Sequence, residues 1–162
     1  MLRLSKKVEY ALIAMTEMVG NGRMELMTAK ALSQKYHIPA EILGKILQKL
    51  TKECLLLSEQ GVKGGYRLGG KPEDISVRRV VEAIEGPLSL ISCSGNSKCA
   101  CAQLSSCNIR SPMRIMEEDL INYFDRINLQ DLHNRHKATV GGGIESVSNP
   151  FLNSTRVEIR GE

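Results

Sequence analysis

The sequence lacks any long apolar run and any apolar leader. No stretch of its 162 residues approaches the length that a helix needs to cross a bilayer. The first residues, MLRLSKKVEY, contain no apolar segment typical of a secretory signal. These absences argue against a membrane partner and predict a cytoplasmic protein, whose thiols are kept reduced.

The sequence also has little of what an enzyme would need. Its histidines have no nucleophile or paired carboxylates arranged around them in sequence; they are His37, His133 and His136. No glycine motif of the phosphate-binding kind is present. The glycine-rich segment GGYRLGG has the pattern of a turn in a β-hairpin rather than of a nucleotide-binding loop. We therefore do not expect an enzyme.

Net charge is small, at +4, but the basic residues are unevenly distributed. Residues 1–79 carry 14 basic and 8 acidic side chains, whereas residues 80–162 carry 8 basic and 10 acidic ones. A basic N-terminal half is suited to contact with phosphates, although many solvated helix faces are as basic. Charge alone therefore favours a nucleic-acid partner only slightly.

The N-terminal half has the pattern of three short helices. Ser5 and Thr28 stand at cap positions before KKVEYALIAMTEMV and AKALSQKY. A tight turn at residues 37–39 leads into a third helix, which begins with Pro39 and runs through AEILGKILQKLTKE. The predicted buried side chains are Val8, Leu12, Met15 and Val19 in the first helix, and Leu43, Leu47, Leu50 and Cys54 in the third.

A predicted hairpin follows the third helix, with LLLSEQ and YRLG as strands and GVKGG as the turn. Three helices with a short turn before the last, followed by a two-stranded wing, predict a winged helix-turn-helix domain over residues 1–86. Its last helix is VRRVVEAIE, with Ser76 as the cap. The alternative is a small helical domain with an incidental hairpin. The predicted fold class is mostly α with a small β wing.

In such a domain the third helix enters the major groove, with its N-terminal residues near the base edges. The candidates for base contact are Pro39, Ala40, Glu41 and Lys45. The candidates for phosphate contact are Ser5, Lys6, Lys7 and Lys49, although Lys49 fits a solvated helix face equally well. The wing would lie by the minor groove through Lys63, Gly64, Gly65, Tyr66 and Arg67.

Four of the five cysteines fall in one loop, predicted over residues 87–110. They are Cys93, Cys99, Cys101 and Cys107, spaced C-x5-C-x-C-x5-C. The residues between them are small or polar, so a metal ion or cluster is the expected means of holding the thiolates together. A zinc site and a metal-free thiol switch are the alternatives, and this spacing fits the paired knuckles of structural zinc poorly. Cys54 is predicted to be a buried small hydrophobic residue.

A long helix is predicted after the loop, within residues 111–137, with Ser111 as its cap and Pro112 in its first turn. Its apolar face comprises Met113, Met116, Leu120, Phe124 and Ile127. Such a face, with no neighbour in sequence to cover it, predicts a dimerisation helix. The alternative is that the helix folds back on its own wing domain. Asn128 is predicted to cap a short helix, and residues 138–162 to form a flexible tail.

The chain resembles the Rrf2 family of bacterial winged-helix regulators. The resemblance rests on LSKKVEYAL at the N-terminus, GGYRLGG at the wing, PLSLISC before the cysteines and INLQDL after the long helix. It implies a homodimer that binds near-palindromic double-stranded DNA, with repression as the expected mode. Because subgroups of the family respond to iron–sulfur status, iron supply, nitric oxide or cysteine metabolism, it also implies an iron–sulfur cluster, 2Fe–2S or 4Fe–4S, that controls operator affinity.

The cysteine loop departs from the pattern that the resemblance implies. In cluster-binding members three cysteines are spaced C-x5-C-x5-C, whereas here Cys93 and Cys107 are two residues further apart. Two cysteines, Cys99 and Cys101, are candidates for the middle position. Where the iron–sulfur-biogenesis subgroup has a ligating histidine, this chain has Arg110, which cannot ligate.

The resemblance to nitric-oxide sensors implies a different fourth ligand. It is Glu9 of the partner subunit, for which a solvated carboxylate at a helix start is the alternative. Two rival functions remain beside the cluster-gated regulator. One is a regulator that reads a metabolite or a partner protein, and the other is a cluster carrier or electron-transfer protein.

Overall fold

A computed structural model describes residues 3–22, 24–61, 63–91 and 101–141. Within these ranges lie helices α1 (Lys6–Asn21), α2 (Ala29–Tyr36), α3 (Ala40–Lys52), α4 (Val77–Glu85), α5 (Arg110–Arg126) and α6 (Leu129–Gly141), with strands β1 (Leu56–Glu59) and β2 (Gly65–Leu68) and a 3-10 turn at Pro72–Asp74. The mostly helical architecture with a two-stranded wing confirms the predicted fold class. None of the helices in these ranges is both long and apolar enough to cross a membrane.

Helix α1 lies at the centre of the fold and packs against α3, α4 and α6. Its buried side is wider than the predicted stripe, because Ala11, Ala14 and Met18 are buried together with Val8 and Met15. A helix in contact with three others must cover more than one apolar stripe. The predicted members Leu12 and Val19 are half-buried at the edge of this core.

Local hydrogen bonds begin most of the helices where the sequence predicts. The hydroxyls of Ser5, Thr28 and Ser76 accept from the N–H groups of Val8, Ala31 and Arg79. Asn128 and Asp131 cap α6 reciprocally, each side chain accepting from the other's backbone N–H. The exception is Ser111, because α5 begins one residue earlier, at Arg110, with Ile109 at the cap position and no side-chain cap.

A three-residue turn joins α2 to α3, as predicted. His37 ends α2 in the left-handed region, with φ of 53°. The Ile38 N–H then donates to the Ser33 carbonyl at 3.1 Å, which is typical of a Schellman-type helix end. The buried Ile38 side chain fixes the turn on the core, and Pro39 stands at the N-cap of α3.

The wing is tied to the helical domain through β2. Strand β1 pairs antiparallel with β2, in the register Leu56 with Leu68 to Glu59 with Gly65. On the other edge of β2, Tyr66 exchanges two backbone hydrogen bonds with Met27, at 2.8 and 2.9 Å. The backbone of Met27 crosses directly over Gly65, so that a Cβ at Gly65 would lie 2.8 Å from the Met27 carbonyl oxygen. The connection between α1 and α2 therefore holds the wing in place.

The prediction that Cys54 is buried is wrong. Helix α3 ends at Lys52, and Cys54 itself adopts a left-handed conformation with φ of 57°. The 3.6-residue period therefore does not extend to residue 54, and the thiol is exposed. Ile46 completes the buried stripe of α3 with Leu43, Leu47 and Leu50.

Helix α5 packs against α4 but buries none of its own residues. Leu120, Ile121 and Phe124 are half-buried and line a cavity of about 250 Å³ with Leu4 and Leu88. Nearer the start of the same helix, the side chains of Ile115 and Met116 are 60% and 57% exposed. The predicted apolar face is thus divided, with its C-terminal part on the chain's own domain and its N-terminal part open.

Helix α6 extends to Gly141, four residues into the segment predicted to be a flexible tail. The rest of that segment lies outside the described residues. The helix is anchored by His133, which is buried against α1, where its Cε1 lies 2.9 Å from the position that a Cβ at Gly20 would take. Close packing at this point requires a glycine.

A polar cluster surrounds His133. The Glu17 carboxylate accepts hydrogen bonds from Lys35 and Tyr36 of α2. Burial and the hydrogen bond to Glu17 raise the pKa of Tyr36 to about 12, so it remains a donor. Burial lowers the pKa of His133, as do the charges of Lys137 and His136, against the opposing effects of Glu17 and the Thr16 backbone.

We expect the protein to lose stability as the pH is lowered from neutral to below 6.5. The ordinary pKa of His133 is 6.5. Because the pKa is lower in the folded state, the unfolded chain binds this proton first, so stability is complete above pH 6.5 and is lost as the pH falls below it. Thermal unfolding across this range, in the wild type and in His133→Gln, measures the effect.

The variant should show a smaller loss of Tm on acidification than the wild type. His37→Asn is the control, because it removes an exposed imidazole and keeps a residue that tolerates the left-handed conformation. Its pH dependence should match that of the wild type. Equal slopes for His133→Gln and the wild type would contradict the assignment.

Candidate nucleic-acid interface and cysteine loop

The outward face of α3 is basic and exposed. Leu43, Ile46, Leu47 and Leu50 are buried, which turns Glu41, Lys45 and Lys52 to the opposite side. Pro39 and Ala40, at the start of the helix, are exposed as well. The structure therefore presents the predicted base-contacting residues together on one accessible helix end, as entry into a major groove requires.

Three lysines converge beside this helix on a cavity of about 280 Å³. Lys7 of α1 and Lys45 and Lys49 of α3 line it, together with three isoleucines, Ile42, Ile46 and Ile84. In the part of the chain that the structure describes, no acidic side chain belongs to its lining. Positive charges grouped over an apolar floor attract a phosphate group, since the low-dielectric floor weakens their screening.

Lys49 also forms a hydrogen bond to α4. Its Nζ donates to the carbonyl oxygen of Ile84 at 2.9 Å, near the C-terminal end of α4. A cation at a helix C-terminus is stabilised by the unpaired carbonyls there. Lys49 therefore joins α3, the predicted recognition helix, to α4, and its predicted phosphate contact stays a prediction.

The N-terminus of α1 places the other candidate phosphate contacts near the protein surface. The Ser5 hydroxyl caps the helix. Lys6 and Lys7 are exposed, and Lys6 forms an ion pair with Glu9 at 2.5 Å. Glu9, the candidate fourth ligand, is thus paired within its own chain.

The wing residues have unequal surroundings. Lys63 is exposed at the turn, whereas Tyr66 is half-buried against the core. Arg67 donates to Glu59 across the hairpin at 3.0 Å. Gly64 approaches the backbone so closely that a Cβ there would lie 2.3 Å from the Glu59 carbonyl oxygen. Of the predicted wing contacts, Lys63 is therefore the most exposed.

Two of the four loop cysteines can be located. Cys101 and Cys107 are free, half-buried thiols on the same cavity, of about 590 Å³. Leu90, Ile91 and Met113 contribute apolar lining, and among the described residues Arg110 is the one charged member of that lining. Cys93 and Cys99 lie outside the described residues. Within the described part of the chain, no three His, Cys, Asp or Glu side chains are close enough to hold a metal ion.

Three features of this region were not predicted from the sequence. Ile42 is 39% exposed on the recognition helix, and its place outside the buried stripe is the one signal that could have identified it. The contact between Lys49 and Ile84 joins residues 35 positions apart. The Leu90 N–H donates to the Glu117 carboxylate at 2.5 Å, which joins the start of the cysteine loop to α5.

An exposed recognition helix after a three-residue turn, followed by a two-stranded wing, defines a winged helix-turn-helix DNA-binding protein. Residues 4–135 match the family described as "Rrf2: Iron-dependent Transcriptional regulator". The chain belongs to the Rrf2 family, and it is a transcriptional regulator rather than an enzyme.

Individual relatives support this membership. The HTH-type transcriptional regulator IscR of Aliivibrio salmonicida is 28% identical over 131 residues, covering 81% of this chain and 77% of the relative. The structure of T. potens IscR superposes with a TM-score of 0.68 at 21% identity, covering 85% of this chain and 90% of that one. The structure of CymR, the global cysteine regulator of B. subtilis, superposes with a TM-score of 0.65 at 23% identity. The match covers 83% of this chain and 98% of that one. At these identities the two structures show a shared fold.

Proposed function

We propose that this chain is a homodimeric regulator that binds near-palindromic DNA and whose DNA affinity depends on an iron–sulfur cluster in the cysteine loop. The observation that carries the proposal is the pair of free thiols, Cys101 and Cys107, facing one largely apolar cavity. DNA binding would repress genes for iron–sulfur biogenesis, iron supply or the response to nitrosative and oxidative stress.

The donor set fits a cluster better than a hard cation. Iron–sulfur clusters are held by cysteine thiolates, and an apolar shell tunes their potential. Cys93, Cys107 and one of Cys99 and Cys101 would supply three ligands, with the remaining cysteine or Glu9 of the partner subunit as the fourth. When bound, the cluster supplies a centre that oxygen, nitric oxide or iron depletion can remove.

Dimerisation through α5 is supported by its open apolar surface. Ile115 and Met116 are more than half exposed, and Ile109, just before the helix, is equally so. Apolar side chains grouped on one helix favour burial against a second copy of that helix. The two recognition helices of a dimer could then reach successive half-sites of one palindrome.

Several contacts support coupling between the loop and the recognition helix. The loop begins after Gly86, at the end of α4, and its first segment is attached to α5 by the bond between Leu90 and Glu117. At the same end of α4, the Ile84 carbonyl binds Lys49 of α3. A change in the loop that shifts the end of α4 would therefore act directly on α3, a coupling between two sites.

The test is to purify the protein without oxygen and to record its visible spectrum and its iron and acid-labile sulfide contents. A 30-base-pair duplex selected from a random pool then serves as the DNA probe. We expect a brown protein with matched iron and sulfide, whose affinity for the duplex differs about tenfold or more between cluster-bound and apo forms, the usual size of an allosteric coupling.

Two cysteine variants make the test specific. Cys107→Ser should yield a colourless protein, whereas Cys54→Ser, which removes an exposed thiol outside the loop, should remain brown. A colourless wild-type protein that contains zinc would indicate the zinc alternative. A colourless wild-type protein without metal would indicate a thiol switch or a protein partner. A brown protein that selects no DNA would indicate a cluster carrier or electron-transfer protein.

A further inference from the structure

The recognition helix contains a glycine that weakens it. Gly44 is the fifth residue of α3 and lies well inside the helix. Glycine is among the least favourable residues for a helix interior, second only to proline, because it loses the most backbone freedom. The half-exposed Gly44 lies on the flank of the basic outward face, one turn from Ala40 and one turn from Gln48.

Nothing in the described fold requires a glycine at this position. A Cβ at Gly44 would have no atom within 4 Å among the described residues, and the backbone there is not in the left-handed region. The glycine in α1 differs, because a Cβ at Gly20 would lie 2.9 Å from the His133 ring. Gly20 is explained by packing, whereas Gly44 reduces helix stability with no compensating contact to any residue that the structure describes.

We infer that Gly44 is a positioning residue for DNA recognition, which lets the backbone of α3 lie against the wall of the major groove. An α-helix with its side chains is about 10–12 Å across, and the major groove is about 12 Å wide. A side chain on the flank of the helix therefore limits how deeply the helix enters, and a glycine removes that limit. Close approach of backbone to a ligand is one of the few uses that offset the cost of a glycine.

This inference rests on the proposed binding of DNA through α3, and it predicts effects of opposite sign on stability and affinity. Gly44→Ala should raise Tm by about 3 °C because alanine is the better helix former. It should weaken binding to the selected duplex by about tenfold, the loss typical of one misplaced base contact. Gly44→Gln, with a larger side chain, should bind more weakly still.

The control is Thr51→Ala, seven residues farther along the same helix. Its hydroxyl donates to the Leu47 carbonyl within α3 at 2.9 Å, so alanine should also favour the helix but adds no atoms to the surface. Tm and Kd for the selected duplex are measured on anaerobically purified proteins. The inference is supported if Gly44→Ala and Gly44→Gln raise Tm and weaken binding of the duplex. The Kd of Thr51→Ala should equal that of the wild type.

A wild type that binds the duplex while Gly44→Ala binds it equally well would overturn the inference and leave the proposed function intact. A lowered Tm for Gly44→Ala would also overturn it, because the glycine would then serve the fold. A wild type that selects no duplex at all would remove the proposed function together with the inference.

Discussion

Exchange of Lys45 for glutamate should lower DNA affinity by about 100-fold or more, with little change in Tm. Lys45 is exposed on the outward face of α3 and lines the cavity that Lys7 and Lys49 share. Loss of one specific contact costs about 1–3 kcal/mol. A dimer would lose it twice, and the new carboxylate would repel the DNA backbone. Titration of the selected duplex at several salt concentrations measures both the affinity and its salt dependence.

A matched charge reversal shows whether position or net charge is responsible. Lys71→Glu changes the net charge by the same amount, at an exposed position that does not line this cavity. Its effect should be small and should disappear as salt is raised. If Lys45→Glu and Lys71→Glu weaken binding equally, the convergence of lysines beside α3 has no particular role.

Replacing Gly65 by alanine should reduce the free energy of unfolding by about 2–3 kcal/mol, the upper part of the range of about 1–3 kcal/mol that is typical of overpacked sites. A Cβ there would lie 2.8 Å from the Met27 carbonyl oxygen and 3.0 Å from the Met27 carbonyl carbon. Both atoms belong to the backbone and cannot rotate aside. The two hydrogen bonds between Met27 and Tyr66 must therefore lengthen or break. Urea unfolding of the variant and the wild type measures the difference.

Gly70→Ala is the steric control, because among the described residues a Cβ at Gly70 would meet the Ile75 side chain alone, at 3.9 Å or more. It should unfold within about 0.5 kcal/mol of the wild type, as substitutions without a clash do. Because the Met27 bridge also positions the wing, Gly65→Ala should weaken DNA binding even under conditions where the protein is folded. Equal midpoints for the two variants would rule out the close approach between Met27 and β2.

The features that the sequence predicted correctly depend on neighbours close in the chain. Ser5, Thr28 and Ser76 cap helices by bonds to groups three residues away, and the turn at residues 37–39 is closed by a bond over five residues. The hairpin needs only two short strands and a glycine-containing turn between them. A hydroxyl before a helical segment or a glycine in a turn acts through local geometry, so its effect can be predicted without knowledge of the fold.

The candidate cluster site was predictable only as a set of residue types. The spacing of the four cysteines indicates a ligand loop, and the resemblance to the Rrf2 family indicates a cluster. Neither can show which thiols face one cavity, because that depends on Leu90, Ile91 and Met113, which come from both sides of the loop. The assignment of the ligands therefore remains a prediction for spectroscopy and cysteine substitution.

Local sequence patterns were enough to predict the caps at Ser5, Thr28 and Ser76, the helix-turn-helix and the wing, since each arises from residues a few positions apart. The exposure of Cys54, the bond from Lys49 to the end of α4 and the burial of His133 against α1 become apparent only in the folded chain. Each of them depends on where a helix ends or on which distant helix packs against it. Contacts over such separations are set by the packing of the whole core, and no local pattern records them.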